Sequence, residues 1–229
     1  MFEYLGTVLV DIDPGFDVLR YLTVRTIGGT VTALLLSIFL GPKLINWLQK
    51  MQFRQFGVER GPDSHKEKSG TPTMGGLLII SSLLISTLLW TDLGNRYIWV
   101  CLFITLGFTL IGFFDDFSKI KHKDSKGISG GLKLLLQALV SLTAVSFLFF
   151  TAEDQAEISL ILLFNKDWIF EMSMFAFIIF GSFVIVASSN AVNLTDGLDG
   201  LAILPTILIS GGLGLIAYAM GNQLIAEYL

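Results

Sequence analysis

The sequence has little charge and almost no cysteine. Only 15% of its 229 residues are charged, against about 25% in an ordinary soluble domain. The single cysteine, Cys101, lies within an apolar run, which excludes a disulfide framework and a thiolate metal site. A net charge of −4 gives no general attraction for nucleic acid, so we expect no nucleic-acid partner. These shortages exclude a disulfide-rich secreted chain and argue against an ordinary cytosolic globular protein.

Hydrophobic residues are abundant instead, at 53% of the chain with 19 Phe, and the mean hydropathy is +0.71. A transmembrane helix needs roughly 20 mostly apolar residues, and the chain offers six candidates, of which the second is short. We therefore predict an all-α, polytopic membrane helix bundle of about six transmembrane helices, forming one domain over 1–229. The predicted spans are 24–42, 75–91, 97–114, 132–151, 172–192 and 201–220.

Basic residues predict which side of the membrane each loop occupies. Segments 43–74 and 115–133 hold eleven of the 15 Lys and Arg residues, and six alternating spans put both on one side. By the positive-inside rule these loops are cytoplasmic, the N-terminus is outside, and the short loop 193–200 is also inside. Segment 152–171 is then an external loop, with a short extended or interfacial piece near 158–164.

Two adjacent carboxylates, Asp115 and Asp116, stand at the inner end of the third predicted span. Because such neighbours repel each other and resist desolvation, something must compensate them. Lys119 lies four and three residues later, on the same side of a continuing helix. The pair suits a divalent cation or a proton acceptor, and the alternative is a solvated helix end with an ion pair. The glycine-rich segment 127–131 should break the chain before the next helix.

A second group of polar residues begins at the end of the fifth predicted span and continues into the loop after it. Four side chains at steps of three share one helical face or a tight turn, and an EF-hand is excluded because its acids alternate at every second residue. Helix capping explains one or two of these residues but not all four. They are Asn190, Asn193, Asp196 and Asp199.

A third cytoplasmic stretch, 66–76, combines a basic pair, hydroxyls and a Gly-Gly before the second span. Backbone N–H groups at a helix start can hold phosphate. The alternative is an ordinary helix start, since Pro-Thr before a helix is a common N-terminal signal.

Together the motifs GTPTMGG (70–76), GFFDDFSK (112–119) and NAVNLTDGLDGLA (190–202) resemble the phospho-N-acetylmuramoyl-pentapeptide transferase family. The resemblance implies a multi-pass enzyme of the bacterial inner membrane that acts in peptidoglycan synthesis. It further implies Mg²⁺-dependent transfer of phospho-MurNAc-pentapeptide from UDP-MurNAc-pentapeptide to undecaprenyl phosphate, releasing UMP.

The resemblance also assigns roles by motif position. Asp115 and Asp116 would be the acid pair, one of them the base on the lipid phosphate, and Lys119 would hold phosphate. The residues that would orient the diphosphate and metal are Asn190, Asn193 and Asp196. Magnesium would be held by Asp115, Asp116 and Asp196. The nucleotide would be bound by Lys68, Thr71, Thr73, Gly197, Leu198 and Asp199, the last three at the uridine.

Three alternatives remain open: a related transferase using another UDP-sugar, a proton-coupled transporter, and an inactive membrane fragment or scaffold. A further acidic motif and a His-rich loop of the family would lie beyond Leu229. We therefore expect this chain to be an N-terminal portion and to lack transferase activity by itself. Membrane lipid is an expected partner, and a homodimer is a candidate oligomeric state.

Overall fold

A computed structural model describes residues 1–50, 74–122, 127–162, 165–196 and 201–221. These residues form mainly α-helices, together with one two-stranded sheet. The predicted all-α, polytopic membrane bundle is confirmed. Its α-helices are α1 (Phe2–Leu9), α2 (Leu22–Lys50), α3 (Gly76–Trp90), α4 (Arg96–His122), α5 (Gly130–Phe150), α6 (Met174–Thr195) and α7 (Ile203–Met220).

Within the described residues, five helices are long and apolar enough to cross a membrane, namely α2 and α4 to α7. The sixth apolar helix, α3, has 15 residues, about 22 Å at 1.5 Å per residue, short of the roughly 30 Å hydrocarbon core. It begins two residues after Met74, whose φ of 70° lies in the left-handed region, and it ends where the backbone of Thr91 becomes extended. The prediction of a short apolar helix here is confirmed, and its crossing of the membrane stays a prediction.

Small residues allow α2 and α3 to approach closely. A Cβ on Gly28 would lie 2.5 Å from the ring of Trp90, so only glycine fits against that ring. Two hydrogen bonds cross the same contact: Ser86 Oγ donates to the Gly29 carbonyl at 2.6 Å, and Trp90 Nε1 donates to Thr32 Oγ1 at 2.9 Å. In a membrane, such close packing and polar contacts replace the hydrophobic drive for helix association.

Helix α5 packs against both α4 and α6. A Cβ on Gly107 would lie 2.7 Å from Val140 Cγ1, and a Cβ on Gly181 would lie 2.9 Å from Val145 Cγ1. The buried side chains of α5 include Ser141, at 0% exposure. These three helices set the positions of the acid pair and of the polar residues that follow the fifth span.

The segment predicted to be an external loop contacts the start of α4. Arg96 pairs with Glu157 at 2.5 Å and with Glu153 at 3.4 Å. The loop then forms an antiparallel hairpin of β1 (Ser159–Leu162) and β2 (Asn165–Glu171). The extended piece expected near 158–164 is confirmed, while its partner strand was not predicted.

Candidate active site

The acid pair and Lys119 form one ion cluster on the last turns of α4. Lys119 Nζ lies 2.7 Å from Asp115 Oδ2 and 3.1 Å from Asp116 Oδ1. Side-chain exposure is 14% for Asp115 and 36% for Asp116. The spacing predicted this pairing, because residues three and four apart lie on the same side of a helix. A single ammonium thus offsets the repulsion between two neighbouring carboxylates.

The turn before α5 closes over this cluster. The backbone N–H of Ile128 donates to Asp115 Oδ1 at 3.0 Å. Gly127, with φ +56°, packs so tightly that a Cβ there would collide with Asp115 Oδ1 and lie 2.9 Å from Lys119 Cε. Both the backbone conformation and the lack of space require glycine at this position. The predicted glycine-rich break is therefore also a wall of the site.

Lys133, on the first turns of α5, adds a second positive charge to the surroundings of Asp115. The sequence had marked Lys133 only as a member of a basic loop. Its placement depends on the turn at 127–129, which brings the start of α5 back towards the end of α4.

An open groove of about 410 Å³ separates the start of α3 from α4. Its walls are largely apolar and its acidic residue is Asp116. Such a groove suits an amphiphile whose apolar part lies along the helices and whose polar end lies near the carboxylate. The other residues that line it are Met74, Gly76, Leu77, Ile80, Thr105, Phe108, Thr109, Gly112 and Phe113.

Asn190 lies on α6 and bonds to the neighbouring helix. Its Nδ2 donates to Gln137 Oε1 on α5 and to the Val186 carbonyl, each at 2.8 Å. Gln137 is only 3% exposed. Gln137 was not predicted from the sequence, although an amide in an otherwise apolar span is a usable signal of a functional contact.

Asn193 and Asp196 lie exposed at the end of α6, where Asp196 follows the last helical residue, Thr195. Within the described ranges, neither residue forms a hydrogen bond or an ion pair with Asp115 or Asp116. In those ranges no three His, Cys, Asp or Glu side chains form a group that could hold a metal, so Asp115, Asp116 and Asp196 are not gathered into one ligand set. The six predicted nucleotide-binding residues lie outside the described residues: Lys68, Thr71, Thr73, Gly197, Leu198 and Asp199.

The donor chemistry of the pair nevertheless suits magnesium. Mg²⁺ commonly keeps several waters and binds through one or two carboxylates plus substrate phosphates, without a cage made entirely of protein ligands. Asp115 and Asp116 supply two adjacent carboxylates, and Asp116 is the more accessible. The magnesium site stays a prediction.

Two family models match this chain. The family model of glycosyl transferase family 4 matches residues 98–229, which include the acid pair, Gln137 and the polar end of α6. The phospho-N-acetylmuramoyl-pentapeptide-transferase signature 1 matches residues 68–80, which include the start of α3. The resemblance found in the sequence is thus confirmed. The chain belongs to glycosyl transferase family 4 and is a membrane phosphoglycosyl transferase.

Proposed function

We propose that this enzyme transfers phospho-MurNAc-pentapeptide from UDP-MurNAc-pentapeptide to undecaprenyl phosphate, with Mg²⁺, and releases UMP. The signature at 68–80 supports this substrate class within the family. The observation that carries the proposal is the position of Asp116, which lies both in the Lys119 ion cluster and at an apolar groove. A lipid phosphate and a water-soluble nucleotide must meet where a charged surface borders an apolar one, as it does at Asp116.

The reaction exchanges one phosphoanhydride bond for another. An oxygen of the lipid phosphate attacks the sugar-bearing phosphorus of the UDP-sugar, the bond from that phosphorus to UMP breaks, and a lipid diphosphate sugar forms. Any proton on the attacking phosphate passes to the acid pair, of which Asp116 is the more exposed member. The barrier in such transfers is lowered mainly by positioning and by charge stabilisation.

Each residue of the cluster has a distinct part in this proposal. Lys119 holds both carboxylates and supplies positive charge towards the phosphates. Asp115 also anchors the turn at Ile128 and so keeps the wall of the site in place. Magnesium, when bound by Asp116 and Asp115, would neutralise phosphate charge.

We place the site on the cytoplasmic face, with the N-terminus outside. The N–H of Ile128 joins the inner ends of α4 and α5, whereas Arg96 joins the opposite end of α4 to the external loop. The acids of the cluster therefore lie at one end of the bundle, which favours a transferase over a transporter with acids across the midplane.

The test is a transfer assay in membranes that carry the protein expressed from its complete reading frame. UDP-MurNAc-pentapeptide and undecaprenyl phosphate should yield UMP and a lipid product, and EDTA should stop the reaction until Mg²⁺ is restored. Parallel reactions with UDP-GlcNAc and other UDP-sugars test the related transferases. Product from another UDP-sugar, with none from UDP-MurNAc-pentapeptide, would overturn the proposed substrate.

A further inference from the structure

One amide pair joins α5 to α6 inside the bundle. Asn190 Nδ2 contacts Gln137 Oε1 and the Val186 carbonyl oxygen, both at 2.8 Å. A backbone carbonyl can only accept a hydrogen bond, so the atom that meets Val186 is the amide nitrogen of Asn190. The same nitrogen meets Gln137, so Gln137 presents its oxygen. The contacts with both neighbours therefore define the orientation of each amide.

This orientation leaves Asn190 with one kind of free group. A side-chain amide nitrogen has two hydrogens, and here one is directed to Gln137 and the other to Val186. Among the described residues no donor is bonded to Asn190 Oδ1, and the residue is only partly buried. Asn190 therefore has an acceptor to offer a ligand and no spare donor.

We propose that Gln137 is a positioning residue that holds Asn190 with its oxygen directed to the substrate. It follows that Asn190 binds an electropositive group, either a hydrogen-bond donor of the sugar substrate or a cation, and does not donate to a phosphate oxygen. This inference rests on the proposed function and on the role near the substrate diphosphate that the family resemblance assigns to Asn190.

The burial of Gln137 supports a specific purpose. An amide in a membrane-spanning helix costs free energy unless it is hydrogen-bonded, and Gln137 is 3% exposed within an apolar helix. Ser141 lies one turn later on the same face, is fully buried, and its Oγ has no hydrogen-bond partner in the described part of the chain. Gln137 and Ser141 are thus both buried on the same face of α5, but only Gln137 of the two is hydrogen-bonded to Asn190.

The first experiment replaces Gln137 by a side chain of similar length without an acceptor, Gln137→Met, with Ser141→Ala as the matched control. Both are measured by kcat and KM in membranes carrying the protein from its complete reading frame. Supporting residues that orient a ligand typically contribute about 10–100-fold to activity, so we expect a loss of that size in kcat/KM for the UDP-sugar. Ser141→Ala should leave kcat/KM unchanged. Wild-type kinetics in Gln137→Met would overturn the inference.

A double-mutant cycle separates positioning from general packing. In an Asn190→Leu background, Gln137→Met should cause little further loss, because the side chain that it positions is gone. If the fold losses in kcat/KM of the two single variants multiply in the double variant, Gln137 acts independently of Asn190, which would contradict the inference.

The second experiment tests which group Asn190 offers. Asn190→Asp keeps an acceptor oxygen, and Gln137 can turn its own amide to donate to it, so this variant should retain more activity than Asn190→Leu. If Asn190 instead donated to phosphate, the Asp carboxylate would repel it and Asn190→Asp would be the weaker variant, which would overturn the inference. A lower Mg²⁺ concentration for half-maximal rate in Asn190→Asp identifies a cation as the ligand, and an unchanged one identifies a donor of the sugar.

The two proposals fail in different ways. Absence of wild-type turnover with UDP-MurNAc-pentapeptide contradicts the proposed function, whereas the ratios between variants test Gln137. Without turnover, the Gln137–Asn190 cycle is measured by thermal unfolding in detergent, where a lack of coupling would contradict the pairing itself.

Discussion

Asp115 Oδ1 accepts a hydrogen bond from the backbone N–H of Ile128, thirteen residues further along the chain, at 3.0 Å. The other oxygen of Asp115 pairs with Lys119. Asp116 also pairs with Lys119, but the Ile128 hydrogen bond goes to Asp115 and not to Asp116. The two neighbouring acids are therefore not equivalent. Asp115 links the ion cluster to the turn before α5, and Asp116 has more of its surface open to a ligand.

We predict that Asp116→Asn abolishes transfer while the protein still inserts in the membrane. The change removes a negative charge from the groove and leaves the size of the side chain almost unchanged. UMP release measures the effect. Size-exclusion chromatography of the detergent-solubilised variant checks that the protein is still folded. Asp154→Asn, in the external loop at the opposite end of the bundle, should transfer at the wild-type rate. Turnover of Asp116→Asn equal to wild type would remove Asp116 from the mechanism.

Asp115→Asn should lower both the transfer rate and the thermal stability. The Asn oxygen can still accept the Ile128 hydrogen bond, but it lacks the negative charge that strengthens this bond in Asp115. A hydrogen bond to a charged group contributes about 1.5–3 kcal/mol, and partial exposure reduces that figure. Thermal unfolding in detergent should therefore show a lower midpoint for Asp115→Asn than for Asp116→Asn. Equal midpoints would mean that the charge of Asp115 does not strengthen its hydrogen bond with Ile128.

Gly127→Ala should destabilise the turn that covers the ion cluster. A left-handed conformation costs a non-glycine residue about 1–2 kcal/mol, and the new methyl group would also collide with Asp115 and Lys119. Activity and the unfolding midpoint should both fall. Gly130→Ala is the matched control, because nothing lies within 4 Å of a Cβ at Gly130. If both variants behaved alike, the turn would not be packed as described.

The contact between α4 and α5 should be sensitive to one methyl group. Gly107→Ala would place a Cβ 2.7 Å from Val140 Cγ1, and overpacking of this kind costs about 1–3 kcal/mol. Gly112→Ala lies on the same helix with nothing within 4 Å of its Cβ. Thermal unfolding should separate the two variants, and an unchanged midpoint in Gly107→Ala would contradict the close approach of these helices.

The topology predicts which introduced cysteines react from outside the cell. In a Cys101→Ser background, Asp154→Cys should react with a membrane-impermeant maleimide in spheroplasts. Lys121→Cys should react only after permeabilisation, because it lies at the end of α4 that we propose to be cytoplasmic. The reverse labelling pattern would invert the proposed orientation.

Several features followed from local sequence because they depend on near neighbours. The length of apolar runs predicted the helices and the short α3, and residue spacing predicted the contacts of Lys119 with Asp115 and Asp116. The glycine-rich segment at 127–131 predicted a break before α5. In each case the responsible interactions join residues within a few positions along the chain, or a run of residues and the lipid.

Other features depended on which helices become neighbours. The sequence marked Asn190 as polar but gave no reason to join it to Gln137, 53 residues earlier. The hydrogen bond from Ile128 to Asp115 and the second strand of the external hairpin were likewise not predicted. Apolar helices share nearly the same composition on every face, so composition does not select their packing partners.

The sequence alone thus determined that this protein is a polytopic membrane bundle with its family motifs and basic loops in a fixed order. That outcome follows from hydrophobicity and charge, which act on each segment separately. Only the tertiary structure decided that Gly127 and Ile128 close over Asp115, and that Gln137 orients the amide of Asn190. Those contacts require close approach of particular small residues on facing helices, such as Gly107 against Val140 and Gly181 against Val145, which brings distant polar groups within hydrogen-bonding distance.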